Sequence, residues 1–251
     1  MKTLKESILS STNTGKSEII RKRIEKWCEK HNIFYGKFKI NDKLEIEKDR
    51  NYPWNNLFIK LKDNEEVPSY IKFASDPYML CNVSNDNKFG NNGLYKGKKL
   101  DLSFIPKECL RLDIHCDVNI ISNLTVKAKV LGIYALNIKK FENVDFEGVT
   151  KNSTLELYIT DFKSLADTGI KIKNCNTIHL ADSYKIAYTF DFEINREKDP
   201  NKKREQLSKE NVQFINDFIG NDIDIKSLEN IIYSSVFKVY KDKNKWYRIR
   251  R

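Results

Sequence analysis

The chain has 251 residues, 40% hydrophobic and 12% aromatic, which is enough apolar material for a packed core and excludes a disordered chain. No apolar run approaches the roughly 18 residues of a membrane span, and Met1–Ser7 lacks the apolar centre of a secretory signal, so a soluble, cytoplasmic protein with no membrane partner is expected. The formal net charge of +10 is concentrated at the two ends, 1–32 and 196–251, whereas 100–195 is net acidic; basic ends suit nucleic acid, an acidic protein face or a phosphate-rich surface, or solubility alone.

Residues 2–10 predict a short helix with Leu4 and Ile8 on one side, broken by Ser11-Thr-Asn-Thr-Gly15. Ser17 is a candidate N-cap for a second helix, in which Ile20, Ile24, Trp27 and Cys28 recur at helical spacing up to about His31. Its other face carries Arg21, Lys22, Lys26 and Lys30, so residues 1–35 read as a helical cap over the open end of a stack of repeats. The run Ser10–Ser17 ends like a phosphate-binding loop, but Ser10 stands where the first glycine is needed and no buried strand precedes it. No nucleotide cofactor is therefore expected.

Residues 36–195 read as a β-rich, repeat-like body. Phe38-Lys-Ile40 and Leu44-Glu-Ile46 flank Asn41-Asp-Lys43 as a small hairpin, and the Pro53-Trp54 loop leads into a strand over Leu57–Leu61. Val67–Phe73 follows, then a polar, loop-like stretch over Asn82–Gly97. Leu100-Asp-Leu102 and Leu110-Arg-Leu112 mark the entry to the repeats proper. Leu112-Asp-Ile114, Leu136-Asn-Ile138, Leu157-Tyr-Ile159 and Ile178-His-Leu180 recur with spacings of 24, 21 and 21 residues. A single turn of that length cannot bury its own apolar face, so turns must stack, one short strand per turn, into a parallel sheet. Val118–Ile120, Leu124–Val130 and Ile133–Ile138 leave little room for helices, and Gly132, Gly148 and Gly169 are placed in tight turns that need positive φ.

The opening Leu4-Lys-Glu-Ser-Ile8 with Ser10, Ser11, Gly15 and Lys16, followed by Ile40-Asn-Asp-Lys-Leu-Glu-Ile46 and Pro68-Ser-Tyr-Ile-Lys-Phe73, resembles leucine-rich-repeat-like proteins encoded by large bacteriophages of gut bacteria. The resemblance is good over residues 1–75 and loose over the repeats. It implies a solenoid carrying an N-terminal docking or addressing segment, and a host or virion protein as partner. The chain departs from that group in its low leucine content, in lacking a regular asparagine at the strand turns and in its basic C-terminal region, which leaves an irregular β-rich solenoid as the expected fold.

Alternation along the anchors places Asp113, Asn137, Tyr158 and His179 outward in one row, the expected protein-binding face. Catalysis finds weaker material. His115, His179, Cys116 and Asp113 suggest a metal, but the two histidines differ in register; Cys116 with His179 would be two turns apart; and Glu142, Asp145, Asp161 and Asp167 are turn acids that only loosely resemble a glycosidase pair. Five cysteines, Cys28, Cys81, Cys109, Cys116 and Cys175, form no C-x-x-C pair and read as buried free thiols. No catalytic residue, metal, cofactor or small-molecule substrate is expected.

Beyond Asn195 the composition changes, and residues 196–251 read as a basic module. Arg196–Pro200 is a charged linker, Pro200 suits the start of a helix whose apolar face, from Leu207 on, runs up to Gly220 as C-cap, a second helix is predicted over Ile225–Ser234, and Val236–Tyr240 and Trp246–Arg250 flank Lys241–Lys245 as a hairpin. Lys243, Lys245, Trp246, Arg248 and Arg250 there suit stacked bases and phosphates. The expectation is an α+β chain: N-terminal helical cap, irregular leucine-rich-repeat-like β-solenoid, and C-terminal helix-helix-hairpin unit. Its function is expected to be non-enzymatic protein binding, with nucleic-acid binding through the C-terminal module as the alternative and a glycan-active solenoid enzyme as a weaker one.

Overall fold

A computed structural model describes residues 4–33, 37–49, 51, 55–85, 93–150, 152–159, 169–175, 177–181, 230–233, 237–242 and 245–250. It is a parallel β-solenoid of about four turns with one N-terminal helix. The elements in order are α1 (Leu4–Lys30), β1 (Phe38–Ile40), β2 (Ile46–Lys48), β3 (Asn56–Leu61), β4 (Asp76–Asn85), β5 (Tyr95–Asp101) and β6 (Glu108–Leu136). They continue with β7 (Lys140–Gly148), β8 (Thr154–Ile159), β9 (Ile170–Lys173), β10 (Thr177–Ala181), β11 (Asn230–Tyr233), β12 (Phe237–Asp242) and β13 (Lys245–Arg250).

One unbroken helix replaces the expected pair. Ser11–Gly15 is poor helix material, yet each such residue costs at most about 1 kcal/mol and a helix already nucleated propagates across it. The run that resembles a phosphate loop therefore lies inside α1. The helix stops at Asn32, whose φ of 55° is the left-handed C-terminal conformation. There the Ile33 amide donates to the Cys28 carbonyl at 2.9 Å and the Asn32 amide to that of Glu29 at 3.1 Å, the two bonds of a Schellman motif. Ile24, Trp27, Cys28 and His31, all from the last two turns, are buried against the solenoid. Arg21 ties the helix to the expected β1–β2 hairpin by donating to Ile40 O at 2.9 Å and Asn41 O at 3.3 Å.

The solenoid starts earlier than the repeats suggest. β3 pairs in parallel with β4, and β4 with the first part of β6. Residues 82–85 and 95–97, expected in a loop, are strand because Val83 and Tyr95 have core positions to fill. β6 makes a whole circuit: 109–114 faces β4, 116–122 faces β5, 120–128 faces β7, and 130–135 faces β8. Its alternation of buried and exposed residues breaks at Ile121-Ser122-Asn123, both of the first two buried and Asn123 at φ 56°. That break is a corner.

Corners of this kind are built mainly by asparagine. Asn143 at φ 54° lies one turn beyond Asn123 and donates from Nδ2 to its Oδ1 at 3.1 Å; Asn123 in turn donates to Asp101 at 2.9 Å. Gly169 at φ 76° continues the column, since it precedes Ile170 as Asn143 precedes Val144, and those two pair. Asn137 and Asn174 are two further left-handed asparagines at turns. Asparagine tolerates this conformation because its short polar side chain can bond locally, so turn asparagines are present after all. Of the three glycines placed in turns, only Gly169 has positive φ. Gly132 and Gly148 are buried in strands, and a Cβ on Gly132 would run into the Asp113 carboxylate, one on Gly148 into the Asn174 carbonyl.

Apolar side chains stack in register through the interior: Leu57, Cys81 and Leu112; Leu100, Ile121 and Phe141; Val126, Phe146 and Ile172; Leu131, Leu155 and Ile178. The expected anchors shift here. Leu157 pairs with Ile133 and Leu180, not with Leu136 and Ile178, and Leu136 is 36% exposed at the end of β6. The repeat is real, but its register from β6 through β8 to β10 runs Ile133, Leu157, Leu180, and the leucine-isoleucine pair at 136–138 begins on the last residue of β6 and ends past it. Asn230–Tyr233, expected in a helix, is a strand pairing in parallel with β10, and the expected terminal hairpin, β12 with β13, continues the sheet in antiparallel fashion. The predicted linker and the helix expected up to Gly220 lie outside the described residues, as do Pro53 and Trp54.

Candidate functional site

The longest sheet face runs β3-β4-β6-β8-β10-β11, and its outward positions are the residues between the core stacks. In the middle turns they form a charged network. Arg111 Nε donates to Asp113 Oδ2 at 2.7 Å, and its Nη2 to Glu156 Oε2 at 2.6 Å and to the Tyr134 hydroxyl at 3.1 Å. Tyr134 donates to Glu156 at 3.2 Å, and its ring stacks on His115 at 4.5 Å and 3°. The absence of a side chain at Gly132 gives Asp113 and Tyr134 their space. One guanidinium thus spans three turns of the solenoid.

The electrostatics follow from half-burial. The Asp113 hydrogen bond, ahead of the opposing effect of burial, and then the Glu156 bond hold Arg111 charged far above any physiological pH. Burial lowers the pKa of His115, with Asp113 opposing and Arg111 assisting, so its ring is neutral near pH 7. Asp113 Oδ1 and Asn82 Oδ1, on paired residues of β6 and β4, are buried acceptors with no donor among the described residues. On the first two turns the same side of the sheet exposes apolar groups: Phe58 is 51% exposed, Tyr78 70% and Leu80 38%.

The structure redistributes the four residues expected in one row. Asp113 is in the network, beside Asn82. Tyr158 is paired with Tyr134, but His179 is paired with Glu156, one row across. Asn137 has left the sheet: it sits at a corner with φ 57° and donates to Asp117 at 2.7 Å. The reason is the shifted repeat, which moved Asn137 from strand to turn. Arg111, Tyr134 and Glu156 were missed, although each is a polar residue between buried neighbours, the available signal for an outward strand position. In the hairpin, Lys245 pairs with Asp242, Trp246 with Lys241, Arg248 with Val239 and Arg250 with Phe237; Lys243 lies outside the described residues.

No protein-family model, curated protein or solved structure matches this chain. What the face can do rests on its own chemistry. Cys116 points into the core while its neighbour His115 points out, and burial pushes the Cys116 thiol up to about 12, so it is no nucleophile. Glu142 accepts from Lys99 at 2.9 Å and Lys140 at 3.3 Å, which spends it as an ion-pair partner; Asp161 and Asp167 lie outside the described residues. Among the described residues no group of three or more His, Cys, Asp or Glu is placed to hold a metal, and no helix is long and apolar enough to cross a membrane. The face presents exposed apolar groups at one end and hydrogen-bonded charges beside them.

Proposed function

We propose that this protein is a non-enzymatic protein-interaction module, phage-encoded and acting on a host or virion protein in the cytoplasm of the infected bacterial cell, with the outer face of its main sheet as the binding surface. The observation that carries the reading is the exposed group Phe58, Tyr78 and Leu80 next to the Arg111, Asp113, Tyr134 and Glu156 network. Clustered exposed apolar groups favour a partner, and aromatic and arginine residues are enriched where proteins meet. Because the network is held by the sheet and by its own hydrogen bonds, little side-chain ordering is left to oppose binding.

The test is a Phe58→Ser, Tyr78→Ser, Leu80→Ser variant used beside the wild type as tagged bait in infected-cell lysate and on purified virions. These side chains are exposed, so the melting temperature is expected to hold within a few degrees. A specific protein retained by the wild type and lost by the variant is the expected result. Identical retained sets would refute this use of the face.

A second reading, nucleic-acid binding by the C-terminal hairpin, is favoured by its composition. The β12–β13 pairing brings Lys238, Lys241, Lys245, Arg248 and Arg250 into one ribbon with Trp246 and Tyr247. Replacing Lys243, Lys245, Arg248 and Arg250 by Ala is expected to weaken binding to DNA or RNA and to lower the salt slope by about one per lost phosphate contact. Equal binding by that variant refutes it.

A further inference from the structure

On the main face Arg111 is neutralised by Asp113 and Glu156; another face of the solenoid leaves its lysines without such ion pairs among the described residues. It is formed by residues 124–129 of β6, by β7 and by β9, which pair in register. Lys127 pairs with Glu147, and Glu147 with Lys173; on the near side the Lys127 amide donates to the Lys107 carbonyl at 2.8 Å, which sets Lys107 next in the row. One row over, Thr125 pairs with Asp145 and Asp145 with Lys171. Lys107, Lys127, Lys129, Lys171 and Lys173 are all exposed. None of these five lysines is within 4.0 Å of a carboxylate of the described residues, although Lys99 and Lys140 elsewhere on the solenoid both find Glu142.

We propose that this lysine face is a binding surface for the sugar-phosphate backbone of nucleic acid, separate from the main face and from the C-terminal hairpin. Adjacent strands bring Lys107 and Lys127 to roughly 5 Å spacing along the solenoid axis, and like charges placed opposite one another oppose folding unless an anion neutralises them. Ammonium groups spread over successive turns suit a linear polyanion, since each is a point charge that suits phosphate without demanding a fixed bond geometry. Among the described residues the face has no exposed aromatic and, apart from Val149 at its edge, no exposed large apolar residue to stack on a base. Binding is therefore through phosphates, independent of base sequence, and strongly salt-dependent. Glu147 and Asp145 are the two acids on this face, and Glu147, lying between Lys127 and Lys173, works against it.

The experiment is fluorescence anisotropy of the full-length protein with labelled duplex and single-stranded DNA of scrambled sequences, titrated with salt. Lys107→Gln, Lys127→Gln, Lys171→Gln and Lys173→Gln together are expected to reduce affinity tenfold or more at low salt and to flatten the log-log salt slope by about one per lost contact. Glu147→Gln alone is expected to raise affinity several-fold, an effect that a folding defect cannot produce. The proposal is overturned if the wild type does not bind, if the quadruple variant binds equally well, or if Glu147→Gln has no effect. It is also overturned if polyglutamate or vesicles of anionic phospholipid bind as tightly as DNA. The Phe58, Tyr78, Leu80 variant is expected to bind DNA like the wild type, and the hairpin variant to retain the Glu147→Gln gain, so each reading can fail without the others.

Discussion

At the scale of single residues, the structure is most constrained where side chains from different turns share one space. Gly132 is the clearest case: it is buried in mid-strand, and an added methyl would meet both the Asp113 carboxylate and, at 2.9 Å, the Tyr134 ring. Gly132→Ala is expected to destabilise by about 1–3 kcal/mol, as overpacking does, and to move Asp113 away from Arg111. Thermal denaturation reads the first effect. A variant as stable as the wild type would show that the network yields freely. The cysteines are likewise decided by packing: burial pushes Cys28, Cys109 and Cys116 up to about 12 and Cys175 to about 11, so all four are apolar fillers at neutral pH.

Among the elements, α1 matters through its C-terminal end. His31 is buried, its ring 4.3 Å from Trp27, with Nδ1 2.8 Å from the Lys60 carbonyl and Nε2 3.3 Å from Glu65. Lys30 also pairs with Glu65, so one carboxylate receives two successive residues of the helix. Burial raises the Glu65 pKa, but the bonds from Lys30 and the Lys62 amide, with His31 nearby, outweigh it and leave a net lowering. A carboxylate whose folded pKa is lowered adds stability above its ordinary value, and loses it as pH falls through the folded one. Glu65→Gln is therefore expected to lower the melting temperature near pH 7 and to converge with the wild type as pH drops below about 4. A deficit that persists unchanged at low pH would mean that packing, not the ionised carboxylate, holds the cap.

For the molecule as a whole, the stacking register gives a direct comparison of two leucines that look alike in sequence. Leu157 is buried between Ile133 and Leu180 in register, whereas Leu136 is at the surface. Leu157→Ala is expected to cost about 2–5 kcal/mol, from lost burial and the cavity left behind. Leu136→Ala is expected to stay within about 0.5 kcal/mol. Denaturant unfolding of both variants measures the difference; equal losses would mean that the stacking register is wrong. In a solenoid each turn contacts its neighbours, so the loss at Leu157 falls on two interfaces at once.

The amino-acid sequence by itself determined that turns of about 20 residues stack, because apolar side chains recurring at that period have no other way to leave water. It also determined the β1–β2 hairpin, the terminal hairpin, the helical character of the cap and the burial of all five thiols, since each depends on local pattern or composition. What only the tertiary structure decided is which residues lie side by side. The spacings of the visible anchors, 24, 21 and 21, suggested one register; the actual one is set by where the asparagine corners fall, and those corners are specified by cross-turn pairs such as Asn143 with Asn123, invisible to local periodicity. A shift of one residue turns every side chain to the opposite face. The network of Arg111, Asp113, Tyr134 and Glu156 and the lysines from Lys107 to Lys173 come together only once that register is set, because they join residues of successive turns, 20 or more positions apart, through the stacking of turns.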